Sequence, residues 1–284
     1  MNASISRLIA IGLVAIGLVA GLAGTSHAQF TLYDNFDGGI IDPEKWFGFS
    51  TEGPSGAPAA EAIRIVDQGR LRLALTSYGG TTSDAGTVFS RQAVSMKQLG
   101  EPGGTGFITG VKAQVTILAA KAQGCSTNPE SSPGTRARAT SSGNYFNDGS
   151  STGPSDGTGD IGGFLQFQRD NDGGKRIVAG LFRCTNATCG TSTTLVSTGF
   201  TATWTLNAPQ QFKIVWQQDE GKIRFVVNNE VKDVFYPAGL VVAGPPVLNF
   251  KNLRVDNTVE NCTSGRKKAA MDVLFENVQV RRQP

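Results

Sequence analysis

Short runs of alternating apolar and polar residues recur along the chain and predict β-strands. The clearest run begins at Asp160, where even-numbered residues up to Gln168 share one side-chain parity and mostly apolar residues share the other. Residues 170–174, with the sequence DNDGG, tolerate positive φ and separate this run from a second alternating run at 177–181. The pattern predicts a β-hairpin with one face in a core and one amide-rich face.

Similar runs predict further strands, which are separated by clusters of Gly, Ser, Thr and Asn. They cover residues 30–36, 62–67, 70–78, 87–96, 107–118, 191–205 (a strand pair), 211–216, 222–228, 247–255 and 270–280. Together with 36 glycines in 284 residues, they favour an all-β fold, an antiparallel two-sheet β-sandwich. No internal repeat interrupts the pattern, so we expect a single domain over residues 29–284.

A long polar stretch at residues 121–159 predicts a loop. It consists mostly of Gly, Ser, Thr, Pro, Asn and Asp, with Tyr145 and Phe146 as its bulky aromatic residues. Loops of this length are either functional or disordered. A functional loop would fold over the polar face of the Asp160 strand, with the two rings as a binding lip. Alternatively, the rings hold the loop to the domain.

The first 28 residues have the features of a signal peptide. Arg7 precedes an apolar run from Leu8 to about Ala23, and Ser26 and Ala28 provide small residues for cleavage before Gln29. A retained membrane anchor is the alternative, although the run is shorter than the roughly 20 residues that span a bilayer. We therefore expect a secreted or periplasmic protein with no membrane span after cleavage.

Composition excludes several kinds of chemistry. His27 is the chain's one histidine, and cleavage removes it. The mature chain then cannot support Ser-His-Asp or Cys-His catalysis or a histidine-ligated metal. The formal net charge of +3 is too small to indicate nucleic acid as a partner. Basic clusters, such as Arg136 with Arg138, are read as solvated surface, with contact to anionic glycans as an alternative.

Four cysteines predict disulfides in an exported chain. Three pairings can be drawn, and Cys184 with Cys189 is the most natural because the sequence CTNATC closes a small loop. Cys125 with Cys262 would then join the central polar stretch to the region before the last strand. Metal binding is the weaker interpretation because no C-x-x-C motif occurs.

Several motifs resemble a known superfamily. The segments YDNFDGGIIDPEKW (33–46), IRIVDQGRLRLAL (63–75) and FENVQV (275–280) resemble secreted concanavalin A-like lectin and glucanase jelly rolls, and residues 211–228 resemble their late strands. The resemblance implies a jelly-roll sandwich with Trp216 in the core. It also implies a structural calcium ion near Asp37, held by an acidic residue where this chain has Glu276. The segment DNDGG resembles the start of a calcium-binding loop but lacks the later ligands, so we interpret it as a turn. No cofactor is required by any feature of the chain.

Glucanases of this superfamily carry three carboxylates on one strand in the pattern E-x-D-x-x-E, suited to a retaining mechanism. In the matching strand of this chain, Asp160 occupies the nucleophile position, Gly162 the position of the assisting aspartate, and Phe164 or Leu165 that of the acid/base. The resemblance thus implies a fold without most of the catalytic motif. If the chain is an enzyme, Asp160 is its candidate catalytic residue.

Carbohydrate recognition needs only polar groups for hydroxyls and rings for apolar sugar faces. The sequence offers a set of candidates for such a surface: Phe164, Gln166, Gln168, Arg169, Tyr145 and Trp204. An ordinary solvated sheet face is the alternative. The preferred hypothesis is a non-catalytic protein that binds carbohydrate or an envelope polymer. The alternatives are a glycoside hydrolase and a structural or adhesive surface protein.

Overall fold

The computed structural model describes residues 29–51, 60–97, 107–126, 134–171 and 173–283. Within these residues the chain forms two antiparallel sheets that face each other across one hydrophobic core. This architecture confirms the predicted all-β, antiparallel two-sheet sandwich. The predicted signal peptide at 1–28 lies outside the described residues, and the single-domain assignment stays a prediction.

The first sheet has eight strands and contains both ends of the described chain. Seven of them run in the order β13-β12-β11-β6-β15-β4-β3, and β1 pairs with β15. These strands are β1 (Phe30–Asp34), β3 (Glu61–Asp67), β4 (Arg70–Tyr78), β6 (Phe107–Ala122), β11 (Pro209–Gln217), β12 (Lys222–Val227), β13 (Glu230–Phe235) and β15 (Lys268–Gln283).

The second sheet has seven strands in the order β10-β9-β8-β7-β14-β5-β2. These strands are β2 (Trp46–Thr51), β5 (Thr87–Met96), β7 (Arg136–Asn147), β8 (Asp160–Asp170), β9 (Lys175–Cys184), β10 (Ser192–Gly199) and β14 (Lys251–Glu260). The hairpin predicted over residues 160–181 is the β8–β9 pair, with Leu165 opposite Ala179. Its position near the middle of this sheet agrees with the predicted apolar core face.

The core forms where the alternating apolar residues of both sheets meet. Leu71, Leu73 and Leu75 alternate with more exposed residues along β4, as the period of a half-buried strand requires. From the other sheet, the Phe146 ring stacks on the Trp216 indole, with ring centroids 5.7 Å apart. Trp216 therefore lies in the core, as the resemblance implied.

The predicted loop at 121–159 is the largest error of the sequence analysis. Residues 136–147 form β7, which lies between β8 and β14 inside the seven-stranded sheet. Tyr145 and Phe146 are fully buried, so the prediction of a surface lip is wrong. The predicted strand pair at 191–205 is the single strand β10, and the strand predicted at 247–255 begins later, at Lys251.

Both preferred disulfides are present. Cys184 pairs with Cys189, and Cys125 pairs with Cys262 across 137 residues. The second bond joins the segment after β6 to the turn that precedes β15. Among the described residues there is no helix of the length and hydropathy needed to cross a membrane.

Candidate binding cavity on the seven-stranded sheet

A cavity of about 430 Å³ opens on the seven-stranded sheet. Leu253 and Val255 belong to the core, so Arg254 between them projects from the opposite, outward face of β14. Arg254 lines the cavity. The volume lies within the range of small-molecule and sugar sites, about 300 to 1,000 Å³.

Strand register assembles the floor of the cavity from three neighbouring strands. Ser142 on β7 pairs with Asn252 on one side and with Phe164 on the other. Thr140, two residues before Ser142 on β7, pairs with Arg254 on one side and with Gln166 on the other. Because side chains two apart on a strand share a face, these two rows lie side by side on the floor.

Two glycines make room for aromatic rings on this face. A Cβ atom at Gly180 would lie 2.7 Å from Cζ of Phe164, and one at Gly162 would overlap the ring of Phe182. Each ring therefore lies over the backbone of a neighbouring strand. At Gly162 the Phe182 ring fills the space that a side chain would need.

Four aromatic rings from the described part of the chain line the cavity. Besides Phe164 and Phe182, they come from Phe47 on β2 and from Phe250 just before β14. Phe47 is 49% exposed and so presents apolar surface at the cavity. The rings offer apolar faces of the kind on which sugar rings stack.

Charged residues at the cavity are arranged around one carboxylate. Asp256 accepts hydrogen bonds from Arg91 Nε at 2.7 Å and from Arg254 Nε at 2.8 Å, and Thr140 Oγ1 donates to it at 3.1 Å. Burial opposes ionisation of Asp256, but the charges of Arg254, Arg91 and Arg138 outweigh it and hold its pKa well below the ordinary value. Asp256 is therefore a buried anion that orients arginine side chains.

Burial and the neighbouring charges also act on Arg254, where burial favours the neutral form and so lowers the pKa. Burial lowers the pKa of Arg254 to about 10, with Asp256 opposing the shift and Arg91 and Arg138 adding to it. Arg254 consequently stays protonated at neutral pH. Arg91 and Arg254 both line the cavity, whereas none of the described lining residues is Asp or Glu.

One wall of the cavity is the loop closed by the Cys184–Cys189 bond. Thr188, Cys189 and Gly190 line the cavity from this loop. Arg183, just before it, donates from Nε to Asp148 at 2.7 Å and so ties β9 to the segment that follows β7. The disulfide restricts the loop that forms this wall.

Asp160 does not lie at the cavity. It is fully buried, and its carboxylate accepts hydrogen bonds from the backbone N–H groups of Val247 and Leu248 at 2.9 and 2.7 Å. The side-chain amides of Asn144 and Asn147 donate to it as well, at 3.3 and 2.8 Å. Four donors thus bind one carboxylate in the protein interior. The expected position of Asp160 on an open polar face is wrong, and its contacts are those of a structural anchor.

The other predicted ligand-binding residues divide into two groups. Phe164 and Gln166 line the cavity, and Gln166 also accepts a hydrogen bond from Gln168, which is 6% exposed. Trp204 is a core residue whose indole N–H donates to the Gln168 carbonyl, so its predicted role as a sugar platform is wrong. Arg169 bonds the Gly173 carbonyl in the hairpin turn and is not a lining residue.

Tyr145 belongs to the interior, next to an unusual buried cation. The ammonium group of Lys251 lies 4.6 Å from the centre of the Tyr145 ring and donates to the Asn144 carbonyl. Burial raises the pKa of Tyr145 above its ordinary value and lowers that of Lys251 to about 7, the latter against the attraction of Asp160. Tyr145 and Lys251 are both fully buried, so Tyr145 cannot reach a ligand in the cavity.

The calcium ion implied by the resemblance stays an untested prediction. Glu276 accepts a hydrogen bond from Gln114, and Asp37 accepts one from Asn35. No group of three or more His, Cys, Asp or Glu side chains suited to a metal ion occurs among the described residues.

Several cavity residues were not predicted from the sequence. Arg91, Phe182, Asn252 and Arg254 lie on three strands that are far apart along the chain. The alternation along β14 could have placed Arg254 on an outward face, since it falls between Leu253 and Val255. Only the strand order brings that face next to Phe164 and Gln166.

Comparisons with known proteins give no match at the level of sequence. No protein-family profile matches the chain, and no curated protein is similar to it.

Solved structures with a similar arrangement of strands include several glucanases. A laminarinase from Flavobacterium sp. is 12% identical, with a TM-score of 0.47, over 88% of this chain and 98% of that chain. A glycoside hydrolase family 16 endo-glucanase from Bacteroides ovatus is 12% identical, with a TM-score of 0.46, over 87% and 98%. The catalytic domain of a laminarinase from Thermotoga petrophila is 13% identical, with a TM-score of 0.45, over 90% and 100%.

At 12 to 13% identity and TM-scores below 0.5, these likenesses concern the arrangement of strands alone.

Proposed function

We propose that the protein binds a polysaccharide chain in the cavity of the seven-stranded sheet and does not cleave it. The observation that carries the proposal is the composition of the cavity, where four phenylalanine rings surround a floor of amide, hydroxyl and guanidinium groups. Rings bind the apolar faces of pyranoses, and convergent polar groups bind their hydroxyls.

The absence of catalytic groups at this cavity supports binding without hydrolysis. Retaining and inverting glycosidases both need two carboxyl groups beside the scissile bond. The described lining residues include no Asp or Glu, Asp160 is enclosed by four donors, and the Phe182 ring fills the space at Gly162. Asp256, the nearest acidic group on this face, is bound by Arg91 and Arg254.

An extracytoplasmic location fits this function. The two disulfides are of the kind that persists in oxidising compartments, where polysaccharides of envelopes and surroundings are found. Residues 1–28 supply the export signal in this proposal. Fractionation of producing cells would locate the mature protein and define its first residue.

The test is a binding assay of the folded protein with soluble neutral and acidic polysaccharides, by isothermal titration calorimetry. At least one polymer is expected to bind, and Phe164→Ala is expected to weaken that binding about tenfold, since a stacked ring contributes roughly 1 to 2 kcal/mol. Phe235→Ala is the matched control, because Phe235 is 59% exposed on the other sheet.

Two results would overturn the proposal. If the folded protein binds no polymer in the panel and instead co-purifies with a protein partner, it is a structural or adhesive protein. If reducing ends are released from a bound polymer, it is a hydrolase, and the search for its carboxylates must turn to other strands.

A further inference from the structure

We propose that the sugar chain bound in this cavity is acidic, and that Arg254 and Arg91 bind its carboxylate or sulfate groups. This inference rests on the proposed function and names the class of ligand. Three observations support it: the excess of positive charge, the fixed position of Arg254, and the neutral groups beside Arg254.

The arginines outnumber the carboxylate that orients them. Arg91, Arg138 and Arg254 act on Asp256 as its charged neighbours, and each favours the ionised carboxylate. Arg138 in turn is acted on by Asp170 and Arg136, so four arginines face two carboxylates and the cluster keeps an excess of two positive charges. Conversely, the charged groups that act on Arg254 are one anion, Asp256, and two cations. An anion from the ligand would relieve this repulsion.

Arg254 is held in place with donors to spare. Its one side-chain hydrogen bond among the described residues runs from Nε to Asp256, and its side chain is 14% exposed at the cavity. Guanidinium groups bind carboxylates and sulfates through pairs of parallel N–H donors. Because Asp256 already fixes the side chain, a ligand that bonds its terminal nitrogens incurs little further loss of rotamer entropy.

The groups beside the arginines suit the rest of a sugar residue. Asn252 lies two residues before Arg254 on the same face of β14, and Gln166 lies across β7 from Arg254. Both are neutral and line the cavity with Phe164. The site therefore combines a cationic position with hydroxyl-binding amides and an apolar ring, a combination that an acidic pyranose fills and a simple inorganic anion does not.

The experiment compares three soluble polymers: polygalacturonate as a polyuronate, dextran sulfate as a sulfated polymer, and laminarin as a neutral glucan. We expect at least one acidic polymer to bind about tenfold or more tightly than laminarin at low salt. That difference is expected to shrink as salt rises to physiological strength, where charges are screened beyond about 8 Å. The two acidic arms distinguish a carboxylate from a sulfate.

Two variants assign the effect to this cavity. Gln166→Glu adds a carboxylate of nearly unchanged shape, which can still accept from Gln168, and is expected to weaken acidic-polymer binding about tenfold. Arg254→Gln is expected to have a similar effect, while Arg91 and Arg138 still compensate Asp256. The matched controls on the other sheet are Gln211→Glu and Arg72→Gln, since Arg72 is likewise paired to an aspartate.

The outcomes separate this inference from the proposed function. If laminarin binds as tightly as the acidic polymers and Gln166→Glu changes nothing, the acidic-ligand inference is wrong and polysaccharide binding stands. If acidic polymers bind but the control variants weaken binding as much as the cavity variants do, the attraction is to overall charge and the inference is again wrong. Should Arg254→Gln fail to fold, Gln166→Glu decides alone. If nothing binds, the proposed function itself is wrong.

Discussion

The sequence and the structure indicate different roles for Asp160. By sequence it occupies the nucleophile position of a glucanase strand, but its carboxylate receives four hydrogen bonds in the interior. Two of those bonds come from the backbone at Val247 and Leu248, in the segment that leads into β14. The carboxylate thus replaces backbone partners that this irregular segment cannot find in a sheet.

Asp160→Asn is therefore expected to destabilise the protein rather than to abolish an activity. The substitution exchanges one acceptor oxygen for a donor that would face other donors, so the free energy of unfolding should fall by about 2 to 4 kcal/mol. Urea unfolding measures this loss, and polymer affinity below the transition should be unchanged. Asp219→Asn, at an exposed position, serves as the control. Wild-type stability of Asp160→Asn would contradict the anchoring role.

Because Lys251 is buried, the free energy of unfolding is expected to depend on pH. Burial lowers its pKa to about 7 in the folded protein, against about 10.4 in an unfolded chain. Between these values the unfolded chain binds more protons, so the lysine's contribution to stability rises with pH in that window and is constant below it.

The comparison that isolates this effect is with Lys251→Met, which keeps the shape and removes the charge. Relative to that variant, the wild-type free energy of unfolding is expected to rise by up to about 1.4 kcal/mol per pH unit between about pH 7 and 10. Denaturant unfolding across this range measures the difference. Lys121→Met, on an exposed part of β6, is the control for the loss of a lysine side chain. A flat difference for Lys251→Met would show that Lys251 has the same pKa in the folded protein as in the unfolded chain.

Strand β7 explains why the sequence predicted some elements and missed another. The β8–β9 and β11–β12 hairpins were predicted because their apolar alternation and turn residues are local signals. In contrast, β7 contains the run Thr140 to Asn144, whose polar side chains bond to neighbouring strands: Thr140 to Asp256, Ser142 to Asn252, and Asn144 to Asp160. Those partners are distant along the chain, so the composition of β7 alone is that of a loop.

The two disulfides are expected to have separable roles because they close loops of very different size. Replacing Cys125 and Cys262 by serine opens a link across 137 residues and should lower the free energy of unfolding by about 5 kcal/mol in the loop-entropy model. Replacing Cys184 and Cys189 opens a link across 5 residues and should cost only about 2 kcal/mol.

Ligand affinity should respond in the opposite order. The Cys184–Cys189 loop forms a wall of the cavity, so its serine variant is expected to weaken polymer binding several-fold. The Cys125–Cys262 variant should bind normally under conditions in which it stays folded. Unfolding by guanidinium chloride and titration calorimetry on both variants measure the two effects. Equal affinities in the two variants would show that the loop keeps its position without the bond.

At the scale of the whole molecule, the candidate site is a product of strand order. The cavity draws Phe47, Arg91, Phe164, Phe182 and Arg254 from five strands that are adjacent or close to one another only in the folded sheet. The sequence predicted Phe164 and Gln166 as binding residues because they share one strand. It could not find the arginines, because the pairing of β14 with β5 and β7 has no local signature in the sequence.

The two sheets are also joined by a buried polar contact, from Asn257 on β14. Its side-chain amide nitrogen lies 2.9 Å from the Leu75 carbonyl on β4 and 3.1 Å from the Ala269 carbonyl on β15. Both acceptors belong to the other sheet, so one side chain bridges the sandwich. Asn257→Ala is expected to lower the free energy of unfolding by about 2 to 4 kcal/mol, since it leaves buried carbonyl groups without this donor and adds a cavity.

The opposite result is expected for Asn252, which lies five residues earlier on the same strand. It projects to the cavity, where it accepts a hydrogen bond from Ser142, so Asn252→Ala should reduce polymer affinity with a smaller loss of stability. Asn257→Ala should retain wild-type affinity wherever it is folded. Denaturant unfolding and titration calorimetry on the same two proteins test whether stability and binding separate across the faces of β14. If both variants lose affinity in proportion to lost stability, binding depends on the rigidity of the whole sandwich and not on one face of it.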